Sequence, residues 1–348
     1  MKFGVLGAAG IARKAFLPAV ESSEHEVRAI ASRSEDRAAD VAEEYSIHEH
    51  YGGYEDLLED ADVDAVYVPL PNALHAEWTK RAADAGLDVL CEKPLASDAP
   101  EAREVVDHCE DRGVTLMEAF MYRYHPRTER AIELAREELE DVRSVDAAFK
   151  FPLFDRPDDV RLSRDLAGGS LMDVGCYAVS AARQFLGEPN RAYAYSHDSR
   201  DADVDTELSG ILQYNDGTSA RIASGFDTET VQFYRVEAAN GWLEVRTAFD
   251  APTDEPLELE YLIDGERDVE TFDPVDQFRL EVDHFAECVE SGTTPRTDGE
   301  ESIANMAVID TLRESAALGL PVSNEFAERD APSMDEITGQ DPSSSDDE

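Results

Sequence analysis

The chain has 348 residues, enough for two domains or one large one with an ample core. Its 78 acidic and 31 basic residues give a formal net charge of -47, which excludes nucleic acid and anionic membrane surfaces as partners, because both require basic patches. The acidic residues are spread along the chain, as in SSEHE, SRSEDRAADVAEE, REELEDV and DSRDADVDTE; they read as a solvated surface suited to a high-salt interior and destabilised when salt no longer screens the repulsion.

Residues 2–7 (KFGVLG) read as a strand, with a helix through IARKAFLPAV. VRAIA (27–31), DAVYV (64–68), LDVLC (87–91) and VTLME (114–118) read as further strands, separated by the helical patterns EDRAADVAEEY, YEDLLED, NALHAEWTKRAADAG and APEAREVVDHCEDRG. Short apolar strands alternating with helices predict an α/β unit of Rossmann type, a parallel sheet covered on both faces, over residues 1–122. MYRYHPRTERAIELAREELE then reads as one helix. Longer alternating runs follow, VRSVDAAFKF, AYAYSHD, ELSGILQY, TSARIASGF, QFYRVEAA, GWLEVRTA and LELEYLI, some joined by the turn signals NDG and NG. One helix, LMDVGCYAVSAARQFLG, interrupts them, and VDQFRLEVDHFAECVESG and SIANMAVIDTLRESAALG close the pattern. Residues 123–324 are therefore expected to form an α+β domain with a large, mainly antiparallel open sheet and helices on one face. The other face is expected to meet a second subunit, giving a homodimer or homotetramer. Residues 325–348 read as an acidic polar tail.

Cys91, Cys109, Cys176 and Cys288 lack CxxC spacing and are expected to be free thiols of a reducing cytoplasm. The N-terminus lacks the regions of a signal peptide and no run of 18 apolar residues occurs, so a soluble cytoplasmic protein is expected. The histidines form no metal-ligand spacing, and no metal is expected.

Between Gly4 and Ala12 the chain turns from strand into helix through Gly7-Ala8-Ala9-Gly10-Ile11-Ala12. Gly7 permits a tight turn, a small residue at Ala9 lets a pyrophosphate approach the backbone, and Ala12 allows close helix packing; an ordinary glycine-rich turn is the alternative. Ser32 and Arg33 end the second strand where a NAD site carries an acidic residue. A hydroxyl and a guanidinium suit a 2′-phosphate instead, which favours NADP, although Arg33 could be a surface residue at a helix start. Pro69, Leu70, Asn72 and His75 follow a strand at its C-terminal end, where ligands sit in open sheets. Asn72 either caps the next helix or offers its amide to the cofactor, and His75 reads as a cofactor neighbour or a packed residue.

Taken together, GVLGAAGIA, PLPNALHA, CEKPLA, MEAFMYRYHP and GGSLMDVGCY resemble the Gfo/Idh/MocA oxidoreductase family, and within it the branch of NADP-dependent D-xylose dehydrogenases and dimeric dihydrodiol dehydrogenases. The likeness runs from residue 1 to about 320, and EKP followed by DxGxY is its most specific part. The resemblance implies a catalytic lysine at Lys93, a partner aspartate at Asp173, Tyr177 where many members carry histidine, Glu92 in the same stretch as Lys93, and an unusual peptide bond before Pro94. It also implies oxidation of an aldose, D-xylose first, at C1 to the aldonolactone in pentose degradation. The alternatives are a dihydrodiol or cyclic-polyol dehydrogenase and a non-catalytic NADP-binding regulatory protein.

The residues make chemical sense on their own. Lys93 leaves a strand facing the cofactor crevice, and Asp173 and Tyr177, four apart, share a helical face. The expected mechanism has Tyr177, its pKa lowered by the Lys93 ammonium, taking the hydroxyl proton as hydride departs. Lys93 would hold the substrate oxygen, and Asp173 would bind a sugar hydroxyl or orient Lys93. Arg123, His125, Phe151, Phe154, Asp155 and Arg161 are expected at the junction of the domains. There, aromatic faces beside carboxylates and arginine suit a polyol ring or seal the interface.

Overall fold

The computed structural model describes residues 1–60, 62–154 and 156–326; Asp155 and residues 327–348 of the expected tail lie outside them. Six strands form the first sheet: β1 Lys2–Leu6, β2 Glu26–Ala31, β3 Glu49–Tyr51, β4 Ala65–Val68, β5 Asp88–Glu92 and β6 Leu116–Ala119. Their order is β3-β2-β1-β4-β5-β6 and every pair is parallel. Val66, Tyr67, Val68, Val89, Leu90 and Cys91 are buried because helices cover both faces, which is why these strands read as continuous apolar runs. The chain reverses direction across the sheet between β1 and β4, so a crevice opens at the C-terminal ends of β1, β4 and β5. The edge strand β3, with the sequence EHY, was not expected; three mostly polar residues carry no strand signal.

The second sheet has nine strands: β7 Val142–Lys150, β8 Arg191–His197, β9 Glu207–Gln213, β10 Ser219–Gly225, β11 Val231–Ala238, β12 Gly241–Arg246, β13 Leu257–Ile263, β14 Glu266–Phe272 and β15 Val322–Ser323. Their order is β14-β13-β12-β11-β7-β10-β9-β8-β15. All pairs are antiparallel except β7 with β10 at the centre. β14 escaped the sequence reading because ERDVETF is exposed along most of its length. The Asp264-Gly265 turn before it, with φ of +52° and +85°, is the hairpin signal that marks it.

The expected single helix over MYRYHPRTERAIELAREELE is two pieces. A 3-10 turn, Met121–Tyr124, precedes the helix Pro126–Glu137, and His125 between them is extended, as the residue before proline prefers. Helices Cys176–Leu186 and Gly299–Leu318 bury Ala178, Val179, Met306 and Ile309 in the core behind the sheet. The C-terminal helices also return to the first half of the chain. Val282 and Phe285 pack with Phe3 and Val5, and the Glu118 N–H donates to the Thr297 carbonyl at 2.9 Å. One apolar cluster therefore runs from Val68 and Cys91 through Leu171 and Tyr177 to Tyr234, and it fixes the end of β5 against the helix that follows Gly169.

Candidate active site

β1 ends at Leu6 and Gly7 turns the chain at φ +131°. A Cβ there would meet Leu70 Cδ2 at 3.1 Å, so the turn needs glycine on both grounds. The helix that follows is π-wound over Ala12–Phe16 and α-helical over Leu17–Glu21. Its first N–H groups have no intrahelical partner and attract an anion. Ala12 is fully buried, Ala8 nearly so, and Ile11 is exposed; a Cβ on Gly10 would meet nothing within 4 Å, so the space above the turn is open to a ligand.

Ser32 is buried at the end of β2 and its hydroxyl accepts the Ser34 N–H at 3.4 Å. Arg33 beside it is exposed, and its charge opposes the burial that raises the Tyr54 phenol. Arg37, which the sequence reading missed, donates from Nη2 to the Ala8 carbonyl at 3.3 Å. Its signal was the spacing of four from Arg33 across a helix start. The two guanidiniums give this end of the crevice the donors that a 2′-phosphate requires, and with the glycine turn they fit a dinucleotide carrying that group.

His75 does not face the crevice. It is completely buried, with Nδ1 2.7 Å from the Pro94 carbonyl and Nε2 2.7 Å from the Leu70 carbonyl. It ties the Pro69-Leu70 loop to the Lys93-Pro94 loop, and burial lowers its pKa. Asn72 gives its amide to the Ala167 carbonyl at 2.9 Å, bridging the two halves of the chain instead of capping its own helix. Glu92 is also turned inward. Its Oε1 accepts the Tyr67 hydroxyl at 2.6 Å, and burial raises its carboxyl.

The peptide bond between Lys93 and Pro94 is cis. Lys93 Nζ donates to the Asp173 carbonyl at 2.6 Å and to Asp173 Oδ1 at 3.2 Å. Asp173 Oδ2 accepts Arg161 Nε at 2.7 Å, and Arg161 Nη1 reaches Asp159 at 3.1 Å. Asp173 lies in the π-wound turn Leu171–Gly175 that opens the helix Cys176–Leu186. Asp205 braces that turn by accepting the Ser170 hydroxyl at 2.6 Å and the Leu171 N–H at 2.8 Å. Gly169, at φ +114°, leaves room for it, since a Cβ there would lie 2.4 Å from Asp205 Oδ1. Burial is the largest influence on the Lys93 ammonium and lowers its pKa, but Asp173, with Cys176 and Glu92 behind it, together outweigh burial and hold the pKa above its ordinary value. Burial likewise pushes Asp173 up, and Lys93 and Arg161 bring it below the usual carboxylate range.

Tyr177 departs from expectation. Lys93 Nζ stands over its ring at 4.9 Å, but the hydroxyl donates to Met121 Sδ at 3.3 Å. The ring is walled by Phe120, Tyr122, Phe149 and Phe249, and the residue is only 4% exposed. Its pKa is raised well above the ordinary phenol, first by burial and then by Glu92, Cys176 and Asp173. The expected lowering by Lys93 is thus reversed, with burial the main cause, and the ammonium stands over the ring face. Arg123 and His125 make their hydrogen bonds within the protein. Arg123 pairs with Glu301 at 2.9 Å beside Ser180, and the buried His125 accepts the Arg127 N–H on Nδ1, capping the next helix. Phe151 lies under the Arg161 guanidinium at 5.7 Å, and Phe154 is 56% exposed.

A glycine turn open to an anion, two arginines at its ribose end and a lysine–aspartate pair across the crevice define a dinucleotide-dependent oxidoreductase. Residues 1–120 match the oxidoreductase family with an NAD-binding Rossmann fold, and residues 132–244 match the GFO/IDH/MocA C-terminal domain. The chain belongs to the Gfo/Idh/MocA oxidoreductase family. It is 56% identical over 322 residues to D-xylose 1-dehydrogenase (NADP(+)) 2 of Haloferax volcanii, covering 92% of this chain and 99% of the relative. It is 37% identical over 323 residues to a dTDP-3,4-didehydro-2,6-dideoxy-alpha-D-glucose 3-reductase of Actinomadura kijaniata, covering 91% and 96%. A 3-ketoreductase from Actinomadura kijaniata, solved with NADP and TDP-benzene, superposes with a TM-score of 0.86 at 35% identity, over 90% of this chain and 97% of that one.

Proposed function

We propose that the protein oxidises an aldose, D-xylose first, at C1 to the aldonolactone with NADP as acceptor, at the head of a pentose-degrading route. The observation that carries this is the Lys93 ammonium held on Asp173 at the end of β5, across the crevice from the glycine turn. The Haloferax relative's activity gives the substrate class. In this reading residues 1–122 hold the cofactor and residues 123–324 the sugar. Gly7, Ala8, Ala9, Gly10 and Ile11 cradle the pyrophosphate, Ser32, Arg33 and Arg37 hold the 2′-phosphate, and Pro69 and Leu70 border the nicotinamide. Bound NADP supplies the hydride acceptor.

Lys93 carries the proton. In the oxidation direction its amine, once deprotonated, takes the C1 hydroxyl proton as hydride leaves the carbon, and becomes the ammonium that Asp173 stabilises. Asp173 aims Lys93 through one oxygen and Arg161 through the other. Tyr177 offers its ring face to the ammonium and stays a neutral phenol throughout. A 3-ketoreductase of Actinomadura kijaniata has been solved with a lysine and, separately, a tyrosine replaced. Those two residues are separated along its chain by the same number of positions as Lys93 and Tyr177. Arg161 and Phe154 border the sugar on the second domain.

The outer face of the nine-stranded sheet, with Tyr193, Tyr195 and Ile211 exposed, would meet a second copy in a homodimer or homotetramer. Cytoplasm is the compartment that suits the four free, buried cysteines. No helix among the described residues is long and apolar enough to cross a membrane.

The test is a panel of aldoses, cyclic diols and polyols, followed at 340 nm with NADP and with NAD in molar salt, comparing kcat/KM. The expected result is the highest value for D-xylose with NADP. Preference for a cyclic diol would transfer the protein to the dihydrodiol branch, and no turnover with any substrate would make it a regulatory NADP-binding protein.

A further inference from the structure

The loop after β12 presents a carboxylate that nothing else in the site uses. Phe249 is fully buried, and its ring lies 5.5 Å from Tyr177 and 5.1 Å from Tyr122. It is therefore anchored in the aromatic cluster over which Lys93 stands. Gln232 of β11 clamps the backbone of the next residue. Its Oε1 accepts the N–H of Phe249 at 3.0 Å and of Asp250 at 2.7 Å, and its Nε2 donates to the Asp250 carbonyl at 3.2 Å. Gln277 adds a donor to the Phe249 carbonyl at 2.9 Å. Four hydrogen bonds from two glutamines thus fix the main chain of a loop dipeptide and leave only the Asp250 carboxylate without a partner among the described residues.

That carboxylate is exposed, yet burial raises its pKa and Lys93 is the charge that acts on it. Lys93 forms its ion pair with Asp173, and Asp250 joins no ion pair among the described residues; the Phe249 ring that precedes Asp250 lies 5.5 Å from Tyr177, over whose ring Lys93 Nζ stands at 4.9 Å. Every other charge of the cluster is committed: Lys93 and Arg161 to Asp173, and Arg161 again to Asp159.

We propose that Asp250 is a specificity-determining residue that accepts hydrogen bonds from the sugar hydroxyls remote from the carbon losing hydride, so that the site selects polyhydroxylated rings over cyclic diols. A carboxylate accepts two hydroxyl hydrogens without giving one, and charge-assisted bonds of this kind are about twice as strong as neutral ones. A diol bearing only its reacting hydroxyls leaves that carboxylate without compensation for its lost water. The inference rests on the reading of the substrate as an aldose.

Asp250→Asn and Asp250→Ala are compared with the wild type on D-xylose and its 2-, 3- and 4-deoxy analogues. Sugar binding to the NADP-loaded protein is measured in parallel by calorimetry. The expected result is a rise in KM and in the sugar dissociation constant by about 10- to 100-fold in Asp250→Ala, with kcat changed only a few-fold. The wild type should reject at least one deoxy analogue, and Asp250→Ala should lose that rejection while Asp250→Asn keeps part of it. Unchanged KM and binding in both variants, or undiminished rejection of the analogue, would overturn the role of Asp250 and leave the aldose reading standing. A wild-type protein that oxidises no aldose would overturn both.

Discussion

Replacing Asp173 with Asn removes the charge that keeps Lys93 protonated and keeps the side chain's shape and the carbonyl contact. The carboxylate oxygen is 3.2 Å from Nζ, a separation at which opposite unit charges attract by roughly 5 kcal/mol at an effective dielectric of about 20. That figure is an upper bound, because Arg161 shares the carboxylate. A neighbouring charge moves a pKa by about one to three units in practice, each worth about 1.4 kcal/mol. Burial lowers the Lys93 pKa and Asp173 raises it, so with Asp173 gone burial prevails and the neutral amine forms at lower pH. In the oxidation direction the rising limb of kcat/KM against pH should therefore move to acid by about one to three units. The assay is NADP reduction by saturating and limiting D-xylose across pH, in molar salt, for both proteins. A limb that stays in place or moves to alkaline pH would refute the role given to the pair.

Arg33→Ala combined with Arg37→Ala should raise KM for NADP by about 10- to 100-fold and leave that for NAD nearly unchanged, because only the 2′-phosphate contacts are lost; initial rates with each cofactor decide it. Glu118 is 1% exposed and accepts the Leu95 N–H at 2.8 Å, and burial raises its carboxyl to about 7. The unfolded chain gives up this proton first, so the group's contribution to stability is full below about pH 4.5 and is lost as pH rises through 7, with a slope of about 1.4 kcal/mol per unit. Glu118→Gln should remove that slope in urea titrations run between pH 5 and 8, and an unchanged slope would contradict the burial argument. The spread of acidic residues predicts that the thermal midpoint falls as sodium chloride is lowered from molar to about 0.1 M; a constant midpoint would count against a salt-adapted surface.

The parallel sheet was legible because its strands are buried on both faces and bounded by helical periodicity, and the glycine turn because Gly7 has a φ that other residues avoid. Lys93 and Asp173 were legible as residues, through EKP and DxGxY, and their pairing follows from their elements meeting. What the sequence could not carry is the direction in which a side chain points. Tyr177 lies at the right position on its helix, but whether its oxygen or its ring face meets Lys93 depends on Met121 and on Phe249, far along the chain. His75 looked like a ligand neighbour and is a strut, since the two carbonyls that hold it come from separate loops. Arg123 follows the same logic, with its Glu301 partner about half the chain away. Asp250 gave no signal in a chain with 78 acidic residues; only the clamp of Gln232 sets it apart from the solvated majority.

The central claim is that Lys93 moves the proton in an NADP-dependent sugar oxidation, with Tyr177 as its support. Single-turnover oxidation of D-xylose by Lys93→Met and by Tyr177→Phe, with NADP affinity measured separately by fluorescence, tests it most directly. Loss of general acid–base catalysis should slow Lys93→Met by about 100- to 10,000-fold, with NADP still bound, whereas Tyr177→Phe keeps its ring and should fall by no more than about tenfold. Near wild-type turnover in Lys93→Met, or a loss in Tyr177→Phe as large as that in Lys93→Met, would contradict the account.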